Sequence, residues 1–223
     1  MKTFNRNTLA AIALAPLAGA ASAGIVTGTI TADNHYALYT GGATNIAYIG
    51  GGETGTGGFN GAYNWSHAES FTFNAGRYIY IAAWSDDAVA QGLIGEFFLP
   101  NNQRLTTNNA VWQVFATGID LDTGAPHPTA AHLQAQVALA NAGDLWTTPG
   151  QYMNNTAQTN PWGKIAGIAS DAHWIWATPP GNANVFVGAG DWDEYLVFRT
   201  QVPAPGAAAA LAGLGILGFR RRR

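Results

Sequence analysis

Tyr78-Ile79-Tyr80-Ile81-Ala82-Ala83-Trp84 contains no charged residue and no polar phase. Side chains of a strand point alternately to opposite faces, so this run predicts a central strand covered on both sides. Shorter apolar runs surround it, separated by Gly, Pro, Asn and Asp, and their spacing is that of an all-β sandwich. The expected strands are 25–31, 36–40, 45–49, 70–73, 78–84, 93–99, 112–117, 174–177, 185–187 and 195–200. Gly50 to Gly61 holds seven glycines and reads as a loop or hairpin tip rather than core. One helix is expected, Pro128 to Ala142, with Pro near its first turn, Leu133, Val137 and Leu139 on or near one face, and Gly143 as its stop. It is expected to cap an open end or face of the sandwich.

The two ends of the chain read as address labels. Lys2 and Arg6 precede an apolar run from Leu9 to Ala18, and Ala21-Ser22-Ala23 is a small-residue cleavage site. Residues 1–23 are therefore expected to be a secretory signal peptide, with Gly24 the mature N-terminus and export through the Sec machinery. At the other end Val202-Pro203-Ala204-Pro205-Gly206 leads into residues 207–219, which have no polar side chain, and then into Arg220, Arg221, Arg222 and Arg223. Counted from Val202 this is about 27 Å of helix, just enough to cross a hydrocarbon core of about 30 Å. The arginines suit the cytoplasmic side, and the prolines mark a break between folded domain and transmembrane helix. The domain between the labels is 24–201.

Removing the labels exposes the charge of the middle. Arg77, Arg104, Lys164 and Arg199 remain against all thirteen acids, a net charge of −9. Nucleic acid is a poor partner for such a surface, because binding it needs clustered cations. The absence of cysteine excludes thiol catalysis and Cys-ligated zinc, and leaves the core to hold an exported domain without disulfides.

Eight tryptophans suggest carbohydrate stacking, with burial as the competing reading. Trp65, Trp84 and Trp112 are expected in the core. Trp146, Trp162, Trp174, Trp176 and Trp192 lie in or beside late loops, where binding groups are usually displayed, and are the candidate ligand contacts. Acid pairs in turns offer weak calcium candidates in Asp120 and Asp122, against the commoner reading of a solvated Asx turn. The five histidines show no metal spacing and no G-x-S-x-G elbow occurs, so no catalytic residue is assigned and no cofactor is expected. Thr27, Thr29 and Thr31 place hydroxyls on one strand face, which an ordinary outward polar face explains.

The tail resembles the PEP-CTERM sorting signal of Gram-negative bacteria, in which a Pro-Glu-Pro-like motif, an apolar helix and an arginine cluster follow in order. Ala204 stands here where that motif has Glu. The resemblance implies an exosortase-like partner, removal of the tail, and transfer of the domain to the cell surface or an exopolysaccharide matrix. Residues 27–117 resemble the jelly-roll, galactose-binding-like modules of exported bacterial proteins, through Thr31-Ala32-Asp33-Asn34-His35-Tyr36-Ala37-Leu38-Tyr39, Trp65, the strand 78–84, Gln91-Gly92-Leu93 and Leu105-Thr106-Thr107-Asn108 before Trp112. That resemblance implies a jelly-roll sandwich with residues 119–173 as an insertion carrying the helix. Together these readings describe a noncatalytic exported surface or matrix protein that binds polysaccharide through loop aromatics. The alternatives are a structural protein without a defined ligand, or a glycan-active enzyme.

Overall fold

The computed structural model describes residues 24–52, 65–85, 90–100, 102–121, 125–178, 186 and 195–203. These residues form two antiparallel sheets and one helix. In chain order the elements are β1 (Ile25–Asp33), β2 (His35–Gly41), β3 (Ile46–Gly51), β4 (Glu69–Asn74), β5 (Tyr78–Trp84), β6 (Gly92–Phe98), β7 (Arg104–Thr106), β8 (Gln113–Ala116), α1 (Ala130–Gly143), β9 (Gly150–Asn154), β10 (His173–Trp176) and β11 (Leu196–Gln201). The first sheet runs β4-β1-β6-β10-β9, with β7 also paired to β6, and the second runs β3-β2-β5-β11-β8.

β5 is the middle strand of the second sheet, as its lack of a polar phase requires. Ile79, Ile81 and Ala83 join Leu38, Leu196 and Phe198 in packing against Val26, Ile30, Leu93 and Phe97 of the first sheet. Tyr80, Ala82 and Trp84 point the other way, into a second cluster with Tyr39, Tyr195 and Val197 that Leu133, Val137 and Ala140 of α1 cover. The molecule thus has three layers, sheet, sheet and helix, and the helix covers a face of the sandwich.

Local chemistry sets the ends of α1. The Thr129 hydroxyl accepts from the His132 amide as N-cap, so the helix begins at Ala130, two residues later than the expected start at Pro128. The helix passes through Gly143 and ends at Asp144, whose φ of 51° takes the left-handed position expected of the glycine; Asp tolerates that conformation better than most residues. Leu139 is 54% exposed instead of facing the core. It lies roughly 240° around the helix from Leu133, whereas Val137 and Ala140 fall on the same stripe as Leu133.

Two strands escape the apolar pattern. β7 has only three residues, of which Leu105 and Thr106 are buried, and β9 reads Gly-Gln-Tyr-Met-Asn on the margin of the first sheet, where burial demands little. Gly50 and Gly51, expected in a loop, belong to β3 and are buried. A Cβ at Gly50 would stand 2.3 Å from the Phe71 ring, so glycine here permits a close approach. The remainder of that glycine-rich stretch from residue 53, and the expected strand 185–187 apart from Phe186, lie outside the described residues.

The folded unit runs one residue past the expected boundary at Gln201. Val202 is 5% exposed, packs into the main core and donates its amide to Arg77 O at 2.9 Å. Ending the chain at Gln201 is predicted to cost about 1.5–3 kcal/mol in urea unfolding, and ending it at Pro203 less than about 0.5. Equal losses for the two truncations would place Val202 outside the core.

Burial between the second sheet and α1 also acts on three phenols. Desolvation raises Tyr80 to about 12, and raises Tyr39 and Tyr195 above the ordinary tyrosine value as well. A raised folded-state value means the folded chain keeps a proton that the unfolded chain releases. Their stabilisation is whole below pH 10 and falls as pH rises from there through about 12. Urea midpoints measured across this range are predicted to drop, with a shallower drop in Tyr80→Phe. A flat profile would contradict burial of these hydroxyls.

Candidate functional site

The antiparallel registers give the sandwich two distinct poles. At one, Gly41 pairs with both Ile46 and Tyr78, β1 begins opposite Asn74, and β11 ends with Gln201 opposite Tyr78. Both ends of the folded unit leave here. Gly24 O accepts from the Ala75 amide at 2.8 Å, and the Val202 amide donates to Arg77 O two residues along the same turn. Tight connections close this pole.

The opposite pole carries the connections that follow β3, β5, β8 and β10, whereas the connection 155–172 leaves β9 and re-enters β10 at their other ends. Asp33-Asn34-His35 turns from β1 into β2 at the opposite pole, and His35 pairs with Trp84 and Asp33 with Gly92. Segments 53–64, 86–89 and 179–194 (apart from Phe186) lie outside the described residues but attach to strand ends at this pole. A row of polar side chains is buried beneath them: Asp33, Asn34, His35, Ser85 and Gln91, each at most 7% exposed. Trp162 Nε1 donates to Asp33 Oδ2 at 2.7 Å, Ser85 Oγ donates to Asn34 Oδ1 at 3.3 Å, and the His35 ring stacks on Trp84 with centroids 5.2 Å apart. The bonds to Asp33 and Asn34 satisfy groups that would otherwise be costly to bury.

The candidate tryptophans divide. Trp162 and Trp174 stack on each other with centroids 4.0 Å apart and are 3% and 0% exposed; Trp176 is fully buried against Phe198. Expected in or beside late loops, with Trp174 and Trp176 on the expected strand 174–177, these three fill the main core, because β10 and the segment before it add to the first sheet. Buried rings offer no face to a sugar. Trp146 is half-buried, donates to Asn141 Oδ1 at 2.9 Å, and has the Arg199 guanidinium 3.7 Å over its ring. Arg199 also donates to Gln113 and Asn141, and desolvation lowers its pKa. Trp192 lies outside the described residues. Of the tryptophans expected in the core, Trp84 and Trp112 are buried and Trp65 packs against it.

Asp120 is exposed on its loop, and Asp122 lies outside the described residues. Among the described residues no three His, Cys, Asp or Glu side chains gather to hold a metal ion, and no helix is long and apolar enough to cross a membrane. Ala21, Ala23, Ala204, Pro205, Gly206 and Arg220 to Arg223 lie outside the described residues; Gly24, Val202 and exposed Pro203 are the only parts of the two labels that can be placed.

Asn155 is the organising residue that the pattern of the chain does not reveal. It is fully buried, donates to Ile165 O at 2.9 Å and Ile168 O at 2.7 Å, and accepts from the Ile165 amide at 2.7 Å. The loop so formed is fixed to the first sheet by the Ala169 amide, which donates to buried Glu96, while Arg104 bridges Glu96 and Asp171. Ile165 and Ile168 thereby enter the main core beside Trp162. Asn155 is one of several polar residues in Met-Asn-Asn-Thr, and nothing in its neighbours separates it from a solvated turn. Asn155→Ala is predicted to cost about 2–4 kcal/mol in urea unfolding, since three backbone groups lose their partner. A cost below about 0.5 kcal/mol would show that water replaces the amide.

No protein family, curated protein or solved structure matches this chain.

Proposed function

We propose that the chain is an exported, noncatalytic jelly-roll module that an exosortase-type system sorts to the cell surface or extracellular matrix. One observation carries the reading: the sandwich closes on itself between Gly24 and Val202, and both ends leave beside the turn Ala75 to Arg77. On this reading residues 1–23 and 204–223 are appendages to that domain, as removable sorting labels must be. In this account 1–23 directs Sec export, 207–219 is the transmembrane helix, and 220–223 stays cytoplasmic until the tail is cut near Pro203 to Gly206. The jelly-roll assignment is supported by the two-sheet order and by the peripheral position of what 119–173 contributes: α1 over one sheet and β9 at the margin of the other.

The pole opposite both ends of the folded unit is the face such a protein presents, and polysaccharide is the ligand class proposed for it. Burial of Trp162, Trp174 and Trp176, and the cover that Arg199 gives Trp146 away from this pole, leave Trp192 as the stacking candidate among the five. The burial also favours the second reading, a matrix protein without a defined ligand. The intact mass of protein recovered from host medium is predicted to begin at Gly24 and end between Val202 and Gly206. A species retaining Arg223 in the medium would contradict sorting by tail removal. For the ligand, retention of the released domain on exopolysaccharide is predicted to weaken in Trp192→Ala. Absence of retention by the unmodified domain would leave the structural reading standing.

A further inference from the structure

We propose that the pole from which both ends emerge is a lipid-facing surface. While residues 204–223 hold the chain in a bilayer, exposed Ile25, Phe98 and Val111, with Arg77, seat the domain on the membrane interface and turn the opposite pole outward. The inference rests on the anchoring role proposed above for the tail, and adds an orientation and a contact surface to it.

Three apolar side chains mark the surface. Ile25, Phe98 and Val111 are 53%, 48% and 47% exposed. Ile25 directly follows Gly24. Phe98 pairs with Thr27 near the end of the first sheet, and Val111 O accepts from the hydroxyl of Thr200, next to the last residue of β11. Large apolar side chains exposed near a tether have an evident use where the tether enters a membrane, because interfacial burial removes them from water.

Charge adds a smaller contribution. The connections 41–46, 74–78, 98–103 and 201–203 contain Arg77 and no Asp or Glu, and Asp171, exposed near β7, is paired with Arg104. Anionic headgroups attract Arg77. Exposed Asp120 lies at the other pole, next to Ile119, whose carbonyl accepts from the Tyr195 amide. β1 spans nine residues from pole to pole, or about 30 Å, several times the screening length of about 8 Å at physiological salt. A short tether keeps the seating contacts at high effective concentration, so weak contacts suffice.

The chain has no cysteine, so single labels report orientation directly. The whole chain carrying Asn74→Cys or Ser66→Cys, both exposed and at opposite poles, is labelled with a small fluorophore. It is reconstituted in vesicles of equal parts phosphatidylethanolamine and phosphatidylglycerol containing a headgroup-nitroxide lipid. The seating predicts quenching at position 74 about threefold or more above that at position 66, reduced toward equality by Ile25→Glu with Phe98→Glu while the chain still floats with the vesicles. Equal quenching at the two positions in floating chain overturns the seating and leaves the anchor intact. A difference unaffected by the double substitution also overturns it, since the tether alone then sets the orientation. Chain that does not float overturns anchor and seating together.

Discussion

Burial of β5 on both faces is the constraint from which the architecture follows. Every residue from Ile79 to Trp84 is at most 4% exposed, so each side of the strand needs its own cover. One is the first sheet, reached through Ile79, Ile81 and Ala83; the other is α1, reached through Tyr80, Ala82 and Trp84. Fourteen residues of helix are marginal in isolation, and α1 owes its place to the aromatic face that β5, β2 and β11 offer it. The tyrosines of that face are amphipathic fillers. Tyr39 turns its hydroxyl to Pro128 O at the start of the helix, tying sheet to cap.

Legibility in the sequence tracked how strongly burial constrains a segment. β5 was readable to its exact ends because both faces are apolar, and β1, β2, β6 and β11 were readable within one or two residues of theirs. β7, with three residues, and β9 were not, the latter because a margin strand tolerates polar residues on its open side. The same logic explains the tryptophans. Residue type alone does not say whether a ring lies in a loop or under one, and Trp162 and Trp174 are buried by a contact with each other across a loop that Asn155 folds. That loop depends on hydrogen bonds from one amide to two carbonyls ten and thirteen residues away, a pairing without periodicity. The buried row Asp33, Asn34, His35, Ser85 and Gln91 was likewise invisible as a unit, because strand register and not chain spacing assembles it.

The division into two poles joins fold to function. An antiparallel sandwich with an uninterrupted β1 and β11 places their outer ends together, so both ends of the folded unit and the turns 41–46 and 74–78 share one pole, and the connections after β3, β5, β8 and β10 share the other. A domain so built can be held from one side and read from the other.

Hydrogen exchange by mass spectrometry on the chain 24–203, set beside the whole chain, tests this account most directly. The account predicts that amides of Ile79 to Ala83 and Val197 to Thr200 are the last to exchange and that their rates agree in the two chains. Rapid exchange of β5 in the shorter chain would contradict it, by showing that the sandwich is not complete between Gly24 and Pro203.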